Sequence, residues 1–201
     1  GARVRGFTRD ISQAKDLLEV GVEIQQMEHE NTDFSSSLKG VKTLILVTGN
    51  NPNQTIQEVS ISRQASELGV EKIVKISSLE CGPNAISAFP RAHYEIEQAI
   101  DQLPIPCQYL KPNFFMQNLF IFSNSIRKAD TFSLPFTDTK TAIVDSNDIG
   151  IAAAEVAVRD NLDRCSYNLN GRELLTFSEV ARELSNSLGR EIKYIFPELG
   201  F

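Results

Sequence analysis

The run Tyr109-Leu110-Lys111-Pro112-Asn113-Phe114-Phe115-Met116-Gln117-Asn118 carries the residue types best suited to chemistry. An apolar strand from Cys107 to Leu110 leads into it. Pro112 is expected to end that strand and to hold Lys111 out of helical geometry. Beyond it, two Asn and one Gln project amide groups beside exposed aromatic faces. Apolar plates with a few fixed hydrogen-bonding groups suit a flat, amide-bearing ring such as nicotinamide. The alternative is a packed loop between two lobes.

The elements that must position this loop alternate between strand and helix patterns. Arg3 to Thr8 reads as a strand, and Ile11 to Val20 as a helix opened by Asp10 or Ser12 and stopped by Gly21. Val22 to Met27 is the next strand, and Phe34 to Leu38 a short helix ending at Gly40. Lys42 to Thr48 is apolar through its middle, as in a strand buried on both faces. Gln54 to Leu68 places Ile56, Val59, Ala65 and Leu68 at helical spacing before Gly69, and Val70 to Ser77 is another buried strand. After a loop from Cys81 to Pro90, Arg91 to Leu103 is a helix with Ala92, Ile96, Ala99, Ile100 and Leu103 on one face.

Past the Tyr109 strand, Leu119 to Lys128 reads as a helix and Ala129 to Lys140 as irregular. Thr141 to Val144 is a short strand, Asp145 to Val158 an Ala-rich helix, and Ser166 to Asn170 a strand leading to Gly171. Thr176 and Glu179 form a capping box. Behind it, Phe177, Val180, Ala181, Leu184 and Leu188 make an apolar stripe that ends at Gly189, before a last strand from Glu191 to Ile195. That stripe reads as core.

Repeated strand-helix units specify an α/β fold, a doubly wound and mostly parallel sheet with helices on both faces. The whole of 1–201 reads as one domain, with about 119–140 and 166–201 forming a small, irregular C-terminal substrate lobe. In such a sheet a ligand lies beyond the carboxyl ends of the strands. The candidate residues therefore follow Thr8, Met27, Thr48, Ser77 and Leu110.

A net charge of −6 makes the whole-chain field repulsive to nucleic acid and anionic lipid, so neither is an expected partner. No apolar run approaches the roughly 20 residues of a membrane span, and no secretory signal stands out. Cys81, Cys107 and Cys165 lie far apart without a Cys-x-x-Cys, and the chain has two His, so no metal site is expected. Reduced thiols in a cytoplasmic protein are the reading. Cys81, just past a strand end, is the alternative candidate for a reactive thiol.

A dinucleotide site of this class normally opens with a strand and a Gly-x-x-Gly-x-x-Gly turn. The sequence has no such turn. Gly1 to Arg5 reads as the second strand of the fold, so the first βα unit, about thirty residues long, is expected to be missing from a fragment. A chain truly limited to 1–201 would leave central backbone groups unpaired and bind a dinucleotide poorly.

Several segments, taken in order with the Phe-Phe-Met-Gln-Asn loop, resemble the NmrA-like proteins, which are atypical short-chain dehydrogenase/reductases. Val4-Arg5-Gly6-Phe7-Thr8-Arg9-Asp10 is similar to their VRalTRd, and Gly21-Val22-Glu23 followed by Gln26 to their GvevvqGD segment. Gly69 to Val74 followed by Ser77-Ser78 is similar to aGVkriVyiSS, and Val144 to Ile149 to VDvdDIa. Tyr167-Asn168-Leu169-Asn170-Gly171 with Leu174, Thr176 and Glu179 is similar to yeLtGpe-LTf-E. The family's chains continue past the position of Phe201.

The resemblance implies a Rossmann-like fold that binds NADP, or else NAD. It implies that Arg9 meets the adenosine 2′-phosphate, where a guanidinium suits a phosphate. Met27-Glu28-His29 stands where the family has Gly-Asp against the adenine, so Glu28 keeps the carboxylate. Thr48, Gly49 and Asn50 would wrap the cofactor, with plain turn residues as the alternative. Ser77 and Ser78 occupy the place of the catalytic Ser, where a hydroxyl could polarise a carbonyl; the alternative is a strand-end cap.

The Tyr-x-x-x-Lys pair of ordinary members is absent, because Gln98 lies four residues after Tyr94. His93 aligns with a Lys kept by many NmrA-like proteins. With a reference pKa near 6.5 it could donate a proton or bond the nicotinamide ribose. Pro112, Asn113, Phe114, Phe115, Met116 and Asn118 would wall the nicotinamide and substrate. The implied function is NAD(P)H-dependent hydride transfer to a small carbonyl or quinone-like acceptor. The alternative is a non-catalytic NAD(P) sensor acting through a protein partner, which the missing Tyr-x-x-x-Lys favours.

Overall fold

In the computed structural model the described residues are 2–8, 10–27, 33–135 and 138–196. The first half runs β1 (Arg5–Thr8), α1 (Lys15–Glu19), β2 (Glu23–Gln26), α2 (Ser35–Leu38), β3 (Thr43–Leu46), α3 (Gln54–Glu67), β4 (Lys72–Ile76) and α4 (Ala88–Asp101). The second half runs β5 (Cys107–Pro112), α5 (Ser123–Ala129), β6 (Thr131–Ser133), α6 (Ser146–Val158), β7 (Cys165–Leu169), α7 (Phe177–Leu188) and β8 (Lys193–Ile195). Two 3-10 helices, Ile11–Ala14 and Met116–Phe122, lead into α1 and α5.

The main sheet has the order β3-β4-β5-β7, with β1-β2 and β6-β8 as separate pairs. Every strand pair among the described residues is parallel. A parallel neighbour requires a crossover, and the helices supply it on both faces of the main sheet.

Alternation along β4 divides the molecule into two faces. Ile73 joins Leu44, Leu46, Ile61, Ala65, Ile96, Ile100, Cys107 and Tyr109 in a core under α3 and α4. Val74 and Ile76 face the other way, with Leu110, toward Ile149, Ala153 and Val156 of α6. Lys72 lies on that second face and donates to the carbonyls of Val156 (2.7 Å) and Arg159, at the negative end of α6. A third core gathers Ile126, Phe132, Ile143, Phe177, Val180 and Ile192 from α5, β6, α7 and the segment before α6. Residues 166–169 lie in the main sheet, paired with β5.

The caps follow from residue type. Asp10 accepts from the Ser12 amide, Asp145 from the Asn147 amide, and Thr176 with Glu179 closes the capping box. Gly189 ends α7 at φ 67°, a left-handed conformation that glycine adopts without steric cost.

The structure corrects five sequence expectations. Pro112 ends its strand, but the strand runs two residues past the expected close at Leu110. Pro112 pairs with Leu169, and its carbonyl, which needs no N–H of its own, accepts the Leu79 amide at 3.1 Å. β3 is not buried on both faces: among the described residues it pairs with β4 alone, leaving Ile45 44% and Val47 63% exposed. Thr141 to Val144 makes only isolated bridges, Thr141 to Leu175 and Val144 to Phe115. β6 forms inside the stretch expected to be irregular, pairing with β8. Finally, α3 buries Ala65 as expected but turns Ile56 to solvent and buries Gln54, Glu58, Ile61 and Ser62, because Glu58 has a charged partner inside.

Candidate functional site

The carboxyl ends of β3, β4 and β5 and the start of α4 open onto one cleft of about 820 Å³. Thr48, Gly49 and Asn50 line it from β3, Ser77 and Ser78 from β4, and His93 from α4. Pro112, Asn113, Phe114, Phe115 and Asn118 close it from β5 and the loop that follows. A volume of this size takes a small-molecule ligand. Arg9, Glu28 and His29 lie outside the described residues.

Beneath the cleft, on the α3/α4 face, lies a chain of charged side chains. Lys75 and Glu58 form an ion pair with both side chains fully buried. Glu58 Oε1 accepts the Thr48 hydroxyl at 2.6 Å and the Gln54 amide at 3.1 Å. Lys75 Nζ also lies 3.2 Å from His93 Nδ1 and 3.2 Å from the Ile76 carbonyl. A second pair joins Lys111 Nζ to Glu97 Oε2 at 2.9 Å, while Glu97 Oε1 accepts the Ser77 hydroxyl at 2.5 Å. The two candidate catalytic side chains thus each rest on a different ion pair.

These contacts set what each group can do. Burial, followed by the repulsion of Lys75, pulls the His93 pKa down to about 4, so the ring is neutral near pH 7. Ser77 spends its hydroxyl proton on Glu97, which leaves lone pairs rather than a proton for a ligand. Burial, then Glu97, pushes the Cys81 thiol up to about 11, which removes the reason to read it as reactive.

The β5 loop is more internally committed than its composition suggests. Asn113 Oδ1 accepts from the Phe114 amide (2.8 Å) and the Thr141 hydroxyl (3.1 Å), and Nδ2 donates to Asn170 (3.1 Å). Gln117 turns away from the cleft: it donates to Asp145 at 3.0 Å and accepts the Ser146 amide at 2.9 Å, locking the start of α6. Met116 is not among the lining residues. Phe114 packs edge-on against Phe177, 5.4 Å between centroids. Phe114 and Phe115 are half-buried and line the wall.

Gly49 bears on what the cleft accepts. Its φ is not positive, and a Cβ there would meet no atom within 4 Å, so no contact inside the chain requires a glycine. Open backbone at a strand end, aromatic plates and hydroxyl acceptors suit a nicotinamide-ribose unit. No group of His, Cys, Asp or Glu among the described residues could hold a metal ion, and no described helix is long and apolar enough to cross a membrane.

Sequence reasoning missed Glu58, Lys75, Glu97 and Lys111. One signal was present. Lys72 and Lys75 punctuate a strand whose neighbours read as buried, and a buried Lys must find a partner.

Comparison with known proteins places the chain. The sequence model of the NmrA-like family matches residues 1–199. An NAD(P)H azoreductase of Xenophilus azovorans is 26% identical over 192 residues, covering 95% of this chain and 67% of that protein. A (4-alkanoyl-5-oxo-2,5-dihydrofuran-3-yl)methyl phosphate reductase of Streptomyces griseus is 30% identical over 182 residues, covering 90% of this chain and 63% of that protein. The crystal structure of the NADPH-dependent quinone oxidoreductase of Escherichia coli complexed with NADPH superposes with a TM-score of 0.83 at 22% identity. That match covers 96% of this chain and 69% of that one. The chain therefore spans about two thirds of the length of these proteins.

Proposed function

We propose that this chain, which belongs to the NmrA-like family, is an NAD(P)H-dependent oxidoreductase that passes hydride to a small carbonyl or quinone-like acceptor. NADP is the cofactor, with NAD as the alternative. The observation that carries the reading is the convergence of Thr48, Ser77, His93 and the Asn113–Phe115 wall on one cleft at the carboxyl ends of three adjacent parallel strands. The relatives named for reduction with NAD(P)H or NADPH support it.

A bound reduced nicotinamide supplies the hydride. The chain's own residues supply the rest. Phe114 and Phe115 give flat apolar surface that keeps water from the ring's face. Ser77, its proton held by Glu97, offers an acceptor for a carboxamide N–H. The acceptor's oxygen, which gains one proton as its carbon gains hydride, needs a donor, and His93 lines the cleft with a ring N–H. Arg9 is assigned to the adenosine 2′-phosphate, Glu28 and His29 to the adenine end. The third core, built around 119–140 and the chain after β7, forms the substrate side, and the three free cysteines fit a cytoplasmic setting.

The test is consumption of reduced nicotinamide against a panel of quinones, azo dyes and aldehydes, with His93→Ala as the control. Turnover that collapses in the variant supports the reading. Tight cofactor binding without turnover of any acceptor supports the rival, a nucleotide sensor acting through a protein partner. Gln98 in place of a Lys after Tyr94 is the feature that favours the rival.

A further inference from the structure

Lys75 has three contacts for three protons. Its nitrogen faces Glu58 Oε2, the Ile76 carbonyl oxygen and His93 Nδ1. An ammonium donates three times and accepts nothing. The ring nitrogen toward Lys75 must therefore accept, and a neutral imidazole that accepts at Nδ1 carries its proton on Nε2. That second nitrogen makes no hydrogen bond to a described residue, and the ring lines the cleft.

Glu58 holds Lys75 in place. Its carboxylate takes donors from Thr48 in the loop after β3, Gln54 on α3 and Lys75 on β4, and both charged side chains are sealed from water. Nothing in this arrangement leaves Lys75 free to swing away from His93. We propose, resting on the reductase reading above, that Lys75, clamped by Glu58, is a positioning residue that fixes His93 as an Nε2–H donor aimed into the cleft. The acceptor oxygen then meets a neutral donor near pH 7.

The charged groups around the ring agree with this. Lys75 on β4 repels a proton from His93, while Glu58 on α3 and Glu97 on α4 attract one. Glu97 is already engaged by Ser77 and Lys111. Burial and Lys75 win, and the pKa falls to about 4. An apolar residue at 75 would leave Nδ1 without a donor, and the ring free to exchange tautomers.

The experiment is long-range ¹⁵N–¹H correlation on the whole chain, which has only two His, told apart by a His29→Gln variant. Wild type is expected to show His93 with a protonated Nε2 and a bare Nδ1, unchanged from pH 8 to pH 5. In the double variant Lys75→Met/Glu58→Gln, which removes both charges together, the two nitrogen shifts should average and the ring should titrate at higher pH. Turnover should fall at least tenfold with the cofactor's KM little changed. A wild-type ring protonated at Nδ1 overturns the proposal even if the double variant does not fold. So does a folded double variant whose tautomer and pH profile match wild type. An Nε2–H ring in a chain that reduces no acceptor overturns the oxidoreductase reading instead, so the two failures are distinct.

Discussion

Ser77 Oγ donates to Glu97 Oε1 across 2.5 Å, and the same carboxylate receives Lys111 on its other oxygen at 2.9 Å. A hydroxyl committed to a carboxylate cannot also donate to a substrate carbonyl. Ser77→Ala is therefore expected to lower kcat by no more than about tenfold, the worth of one ordinary hydrogen bond. Glu97→Ala is expected to be far worse for stability, by about 2–3 kcal/mol, because Lys111 then loses its partner in a half-buried place. Urea unfolding of the two variants beside steady-state rates checks both. A thousandfold loss of kcat in Ser77→Ala would return Ser77 to the role of proton donor.

The proposed contact of Arg9 with a 2′-phosphate is a matter of cofactor choice. A charge-assisted hydrogen bond is worth about 1.5–3 kcal/mol. Arg9→Ala should accordingly shrink the preference for NADPH over NADH by about ten- to a hundredfold, with NADH binding nearly unchanged. Titrating both nucleotides into both proteins measures it, and an unchanged ratio removes Arg9 from the site.

His93 gives the chain a pH dependence of known sign. In the unfolded chain an ordinary His takes its proton as pH falls through about 6.5. The native ring, buried beside Lys75, waits until about 4. Between those values the unfolded state binds more protons, so stability falls as pH falls and is fully present above about 6.5. The difference between wild type and His93→Asn in unfolding free energy should lose this slope above pH 6.5 and show it below. A slope of opposite sign would mean the ring is charged in the native state.

Cys81 should resist alkylation at neutral pH. Burial and the nearby Glu97 carboxylate hold its thiol up near 11, so thiolate is scarce at pH 7. Labelling by iodoacetamide, followed at the Cys81 peptide, is expected to be slow at pH 7 and to accelerate steeply only at alkaline pH. Rapid labelling at pH 7 would restore the reactive reading.

The path of the chain was largely legible because hydrophobic spacing and punctuation agree at most elements. Asp145, Thr176 and Gly189 open or close their helices where residue type says they should. The cleft was legible too, since strand ends in a parallel sheet point the same way, so Thr48, Ser77 and Pro112 to Phe115 had to meet. The polar floor was not. Hydrophobicity turned α3 with Ile56 inward, whereas Glu58 and Gln54 go inside to meet Lys75. A pair of charges on separate elements is invisible to periodicity, because each looks like a surface residue until its partner is placed. Gln117 misled for a related reason: its amide serves α6, an element about thirty residues farther along the chain.

Gly171 is the position where one methyl group should reach the site from outside it. A Cβ there would lie 1.9 Å from the Ile143 carbonyl oxygen, which is backbone and cannot rotate away. The strand-like segment it would push is the one that holds the cleft wall: Val144 N donates to the Phe114 carbonyl at 2.9 Å, and Met116 N donates to the Val144 carbonyl at 2.8 Å. Gly171→Ala must therefore either displace Ile143 and Val144 or open the chain around residue 171. Overpacking of this kind costs about 1–3 kcal/mol. Because the strain lands on the Phe114–Phe115 wall, KM for the acceptor should rise more than the affinity for cofactor at the Thr48 side falls. Unfolding midpoints together with separate KM values test this, and a variant as stable as wild type with an unaltered acceptor KM would show that the wall does not depend on that contact.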